Sequence, residues 1–144
     1  MGATSSINAS NPPKIHVCKP LINEKFETNI NNMETVLQNT GFQLSSTSND
    51  KTESIIQNNI FESNVVIVCI ARCTIRCFHQ LRELDYIERC YKKCIYVMLD
   101  DKYNPDYETW INTTIRDCPW VTCAASDDIE NATQFLCKHI CERI

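Results

Sequence analysis

Two short runs, Val65–Ile70 (VVIVCI) and Ile95–Leu99 (IYVML), are apolar at nearly every position. A strand with one wet face alternates apolar and polar residues, so an unbroken run means that both faces are covered, as in the centre of a parallel sheet clad by helices. The rest of the chain supplies matching parts. Lys14–Cys18 (KIHVC), Phe42–Ser45 (FQLS) and Trp120–Cys123 (WVTC) have the length and bounds of further strands. Between them the apolar period changes to that of a helix. Phe26, Ile30, Met33 and Leu37 form one stripe within Glu24–Thr40, and Gly41 stands where a C-terminal cap belongs. Ile55, Ile56, Ile60 and Phe61 mark a second helix, and Cys77, Leu81, Leu84, Ile87 and Tyr91 a third. Tyr107, Trp110, Ile111 and Ile115 mark a fourth. The last runs from Ser126, as N-cap, to Ile144, with Ile129, Ala132, Leu136 and Ile140 turned inward. Five strands alternating with five helices predict right-handed crossovers around a parallel sheet, with function at the carboxyl ends of the strands.

Composition sets limits on this reading. A chain of 144 residues with 43% hydrophobic residues buries about two-thirds of its unfolded surface, enough for one domain. That domain is expected over 14–144, after a flexible arm over 1–13 that is uncharged, rich in Ser and Asn, and closed by Pro12-Pro13. The net charge of -4 argues against a nucleic-acid partner. No stretch is apolar for the roughly 18 residues of a membrane span, and the first residues lack the apolar centre of a secretory signal. The expected location is cytoplasmic. In that compartment the ten cysteines are expected as reduced thiols, and the sequons at Asn8, Asn112 and Asn131 read as chance matches. Only Gly2 and Gly41 are glycines, which excludes the glycine-rich phosphate loops of P-loop and dinucleotide-binding proteins.

Three stretches resemble the Toll/interleukin-1 receptor (TIR) domains. SIIQNNIFESNVVIVCIARC (54–73) is similar to the helix leading into that family's third strand. RELDYIERCYKKCIYVMLDDKYNPDYETW (82–110) is similar to the following helix, fourth strand and the loop ending in Trp. WVTCAASDDIENATQFLCKHI (120–140) is similar to the last strand and closing helix. The first strand and the loop STSNDKT after the second depart from the family, the loop lacking its usual Pro and Gly. The resemblance implies a flavodoxin-like α/β fold of three layers. It further implies a signalling or scaffold module that self-associates or pairs with other TIR domains, and that needs no cofactor. The alternative it implies is an NAD+ hydrolase, with NAD+ as substrate.

In that alternative, a glutamate on the helix after the third strand stabilises the oxocarbenium character that develops as nicotinamide leaves. Ungapped counting back from KKCIYVML puts that position on Leu84, and Glu83 and Asp85 flank it. One residue along a helix turns a side chain by about 100°, so the three cannot face the same way; Glu83 is the catalytic candidate, its register open against Leu84 and Asp85. Glu83 also reads as a solvated helix acid beside Arg82. The Cys-x3-Cys pairs Cys73/Cys77, Cys90/Cys94 and Cys137/Cys141, with His79 and His139, permit a metal site, but Cys69 and Cys94 fall in or beside strands. Core thiols are the better reading and no metal is expected. His16 and His79 show no partner in the sequence, and Trp110 and Trp120 read as core. Finally, MGATSS fits the N-myristoylation pattern with Gly2 as acceptor, and a single acyl chain gives at most weak, reversible membrane contact.

Overall fold

The computed structural model describes residues 11–21, 26–100 and 117–144. The strands are β1 (Lys14–Cys18), β2 (Gln43–Ser46), β3 (Val65–Ile70), β4 (Cys94–Met98) and β5 (Trp120–Thr122). The helices are α1 (Glu27–Thr40), α2 (Glu53–Glu62), α3 (Phe78–Arg89) and α4 (Ile129–Arg143). Short 3-10 turns, Arg72–Arg76 and Ser126–Asp128, precede α3 and α4. All strand pairs are parallel, in the order β2-β1-β3-β4-β5. The expected helix over 106–116, with Trp110, lies outside the described residues.

β3 and β4 are buried at every position, because both sheet faces are covered. Ile15, Val17, Ile67, Cys69, Ile95 and Val97 point to one face, against Ile30, Met33 and Leu37 of α1 and Ala132, Leu136 and Ile140 of α4. Val66, Val68, Ile70 and Tyr96 point to the other, against Ile56 and Ile60 of α2 and Ile87 of α3. This alternation is the period of two of a pleated strand, and it also fixes where the polar residues of β1 and β2 must look.

Helix ends follow local chemistry. The Thr52 hydroxyl caps α2 by accepting from the Ile55 N–H. α1 ends on Gly41 at φ 118°, with its N–H on the Gln38 carbonyl and the Phe42 N–H on Leu37, a Schellman closure that favours glycine. α4 departs from expectation. Its first helical turn is preceded by the Ser126–Asp128 turn, and Asp128 rather than Ser126 is its N-cap; the Asp128 carboxylate accepts from the N–H groups of Ala124 and Ala125. Of the four apolar residues that mark the second helix, Ile56 and Ile60 are buried and Ile55 and Phe61 exposed, since a ten-residue helix lying on the sheet buries one narrow stripe. Trp120 is half exposed, not core, because β5 is a three-residue edge strand.

Candidate functional site at the β1–β3 switch point

The strand order places β1 between β2 and β3, so successive crossovers leave β1 in opposite directions. In open α/β sheets that reversal opens a crevice at the carboxyl ends of the strands. Here α3 fills it with polar side chains. The inner face of α3 is Gln80, Glu83 and Ile87, spaced i, i+3 and i+7, and all three are buried. The stripe expected from Cys77, Leu81, Leu84, Ile87 and Tyr91 is therefore rotated: Leu81 and Leu84 flank the buried face and Tyr91 is 93% exposed.

Polar residues of the sheet meet that face. His16 and Cys18 alternate toward it on β1, and Ser45 lies opposite His16 on β2, with Thr47 two residues further on. His16 Nε2 lies 2.8 Å from Glu83 Oε1, and His16 Nδ1 lies 2.9 Å from Ser45 Oγ. An ionised carboxylate only accepts, so Nε2 carries the hydrogen facing Glu83 and, in the neutral ring, Nδ1 accepts from the Ser45 hydroxyl. The Thr47 hydroxyl donates to the same Glu83 oxygen at 2.8 Å and accepts from the Lys19 N–H at 3.0 Å. Thr47 also sends its own N–H to the Val17 carbonyl, so the start of the β2–α2 loop is tied to β1 and α3 together.

Two expectations are corrected by this network. Glu83 is not a solvated acid beside Arg82: it is 7% exposed and spends its carboxylate on His16 and Thr47. Nor is His16 a lone histidine; it is fully buried with a partner at each ring nitrogen. His79 is exposed. Arg82 turns outward, pairs with Glu53 of α2 and lies over the Phe78 ring at 5.2 Å.

Gln80 closes the crevice itself. Its Nε2 donates to the Cys69 carbonyl of β3 at 2.6 Å and faces the Cys18 carbonyl of β1 at 3.4 Å, joining the ends of the two strands. Its Oε1 is buried and, among the described residues, lacks a hydrogen-bond partner. Cys18 lies beside this amide. Burial, and after it the Glu83 carboxylate, push the Cys18 thiol well above its ordinary value, so it stays protonated and is a poor nucleophile.

The three candidate acid positions separate cleanly. Glu83 lines a small cavity of about 110 Å³ between α2 and α3, together with Lys51, Glu53, Ile60, His79 and Arg82. Leu84 and Asp85 line a different cavity of about 490 Å³ on the other flank of α3, with Ile87, Glu88 and Tyr96. Asp85 is exposed and pairs with Arg89 at 2.6 Å. None of the ten cysteines forms a disulfide; Cys69, Cys77 and Cys123 are buried, and no group of three or more metal-ligating side chains occurs among the described residues. Gly2 lies outside the described residues.

The buried polar set was missed because each member looks bland alone. The signal lay in register: His16/Cys18 and Ser45/Thr47 each alternate on a strand, and Gln80/Glu83/Ile87 share a helix face. Reading the three together needs the strand pairing, which no local pattern supplies.

No family model and no curated protein matches the sequence. Solved structures do. The TIR domain of the Toll-related receptor TRR-2 from Hydra magnipapillata superposes with a TM-score of 0.64 at 16% identity, over 88% of this chain and 96% of that one. The TIR domains of the activated Roq1 resistosome, which recognises the pathogen effector XopQ, give a TM-score of 0.54 at 13% identity, over 90% of this chain and 84% of that one. With a parallel sheet in the order β2-β1-β3-β4-β5 and helices on both faces, the chain has the fold of the Toll/interleukin-1 receptor (TIR) domains.

Proposed function

We propose that the chain is a signalling module that works by TIR–TIR contact, self-association included, and that it needs no cofactor. The observation that carries this reading is the commitment of Glu83. Its Oε1 accepts from both His16 and Thr47, and the cavity it lines, about 110 Å³, is well below the roughly 300–1,000 Å³ of ordinary small-molecule sites. The TIR-domain structures it resembles include those of an assembled resistosome, which supports assembly as the mode of action. Light scattering across a concentration series tests it: growth of oligomers with concentration is expected. A strictly monomeric protein that captures no TIR domain would overturn it.

NAD+ hydrolysis is the second reading, favoured by one fact, that the remaining edge of Glu83 faces a cavity and not the core. Nicotinamide release from NAD+ separates the two, with Glu83→Gln as the variant because it preserves shape. Release by the wild type that is lost in Glu83→Gln would establish the enzyme; no release under conditions of self-association would remove it. Acylation at Gly2, with weak and reversible membrane contact, completes the proposal, and intact-mass measurement after expression with an N-myristoyltransferase checks it.

A further inference from the structure

With ten cysteines in one small domain, strand register and helix spacing decide which thiols can meet. Two thiols join only where their Cα atoms lie about 4.4–6.8 Å apart and their Cβ atoms about 3.5–4.5 Å apart. Cys137 and Cys141 are i, i+4 on α4, where Cβ atoms stand about 5–6 Å apart, too far to close. Cys18 and Cys69 lie on neighbouring strands but on opposite faces of the sheet. Cys69 and Cys123 share a face, yet β4 runs between β3 and the end of β5.

Cys94 and Cys118 differ from these. Tyr96 pairs with Trp120 in the parallel β4–β5 ladder, and the Tyr96 N–H bonds the Pro119 carbonyl at 2.9 Å. Two residues back on each side stand Cys94 and Cys118, so the period of two turns both toward the face that Tyr96 occupies. They pack there in one cluster and line the same cavity on the flank of α3. Paired strands run about 4.8 Å apart, inside the Cα range of a disulfide. Pro119 has no N–H to give the Cys94 carbonyl, so the ladder stops and the backbone at 118 can tighten toward Cys94 without breaking it.

We infer that Cys94 and Cys118 form a reversible disulfide that staples the start of β5 to β4 when the surrounding thiol pool turns oxidising. Cys118 is the partly exposed member and Cys94 the buried one. Burial raises the Cys118 thiol, the Arg143 guanidinium pulls it back, and Asp117 adds a smaller push upward. Burial, and after it Cys118, push Cys94 up to about 12, so attack begins at Cys118. The oxidant is a small disulfide such as oxidised glutathione. The Cys118 thiolate attacks one of its sulfurs, and a glutathione thiolate leaves, giving a mixed disulfide on Cys118. Cys94 then attacks the Cys118 sulfur, its proton passing to the second glutathione as that leaves. Two protein thiols are oxidised, and one glutathione disulfide becomes two glutathione thiols. Closure gives up the weak bond from the Cys94 thiol to the Lys92 carbonyl at 3.4 Å. In return it ties the three-residue edge strand β5 to its neighbour by a covalent bond. The inference does not depend on the assembly reading, and its test reads a bond within one chain.

Equilibrating the full chain in glutathione buffers of rising oxidised fraction, then alkylating and mapping tryptic peptides, tests it. The expected product joins peptide 94–102 to peptide 117–138 with the loss of two hydrogens, and dithiothreitol reverses it. The melting temperature rises by about 5–10 °C, the scale set by cross-linking a loop of about 25 residues. Cys118→Ser abolishes the link, Cys94→Ser stops at a mixed disulfide of Cys118 with glutathione, and Cys137→Ser leaves the link intact. Recovery of both thiols alkylated from fully oxidised glutathione, a link through Cys90 in place of Cys118, or a link that forms only in urea would overturn it.

Discussion

Glu83 shows how much one contact changes the meaning of a residue. In the sequence it is an acid beside an arginine; in the fold it is a buried carboxylate held by an imidazole and a hydroxyl. Removing one partner of such a pair leaves an uncompensated buried group, at about 3–5 kcal/mol, whereas replacing both by apolar residues of similar size costs less. Urea unfolding of Glu83→Leu should therefore show a loss of about 3 kcal/mol, and adding His16→Leu should lose less than the two single changes together. Strict additivity would mean that the two side chains do not act as a pair. Glu83 was named as a candidate from the family likeness, but its partner was not legible: residues 16 and 83 come together only through a β1–α3 packing that no local period encodes. Cys69 was legible, since a reduced thiol in an all-apolar run has little to do but pack, and it does so in the α1–α4 core.

At the scale of elements, α1 and α3 end in the same backbone closure on different residues. Gly41 serves α1, and Tyr91 serves α3, with its N–H on the Glu88 carbonyl and the Lys92 N–H on Ile87. The glycine was read correctly as a stop signal, while nothing in CYKK marks Tyr91 as the same signal, which is why the third stripe was extended through it. Lys92 then reaches across to the last carbonyls of α2, where a cation meets the negative end of the helix dipole. Lys92→Met should keep the stem and lose the charge. Thermal unfolding should fall by about 1 kcal/mol, or about 3 °C for a chain of this size, and an unchanged melting temperature would show that the staple contributes nothing. Strands were legible almost to the residue where both faces are buried, as at Val65–Ile70. Edge elements were not, because Trp120 and Phe61 are apolar residues whose exposure depends on what lies beside them.

For the molecule as a whole, the buried thiols set an alkaline limit. Burial raises Cys18 and Cys69 well above the ordinary thiol value and pushes Cys94 up to about 12, and Tyr96 is raised for the same reason. Each of these groups keeps its proton longer when folded than when unfolded. Above about pH 9 the unfolded chain binds fewer protons than the folded one, so stability is complete below that pH and declines as pH rises, by up to about 1.4 kcal/mol per unit for each group. Melting temperatures from pH 7.5 upward should hold level to about 9 and then drop, with a shallower drop in Cys94→Ala. A flat profile to pH 11 would contradict the burial of these groups.

The Gln80 amide bears on the whole molecule in another way. A side chain that spans the Cys18 and Cys69 carbonyls occupies the crevice as a tethered occupant, present at an effective concentration that free solutes do not approach. Any small molecule seeking the ends of β1 and β3 must first evict it and leave two strand carbonyls to be satisfied anew. The ends of β1 and β3, where open α/β sheets usually take ligands, are thus bridged by a side chain of the protein itself.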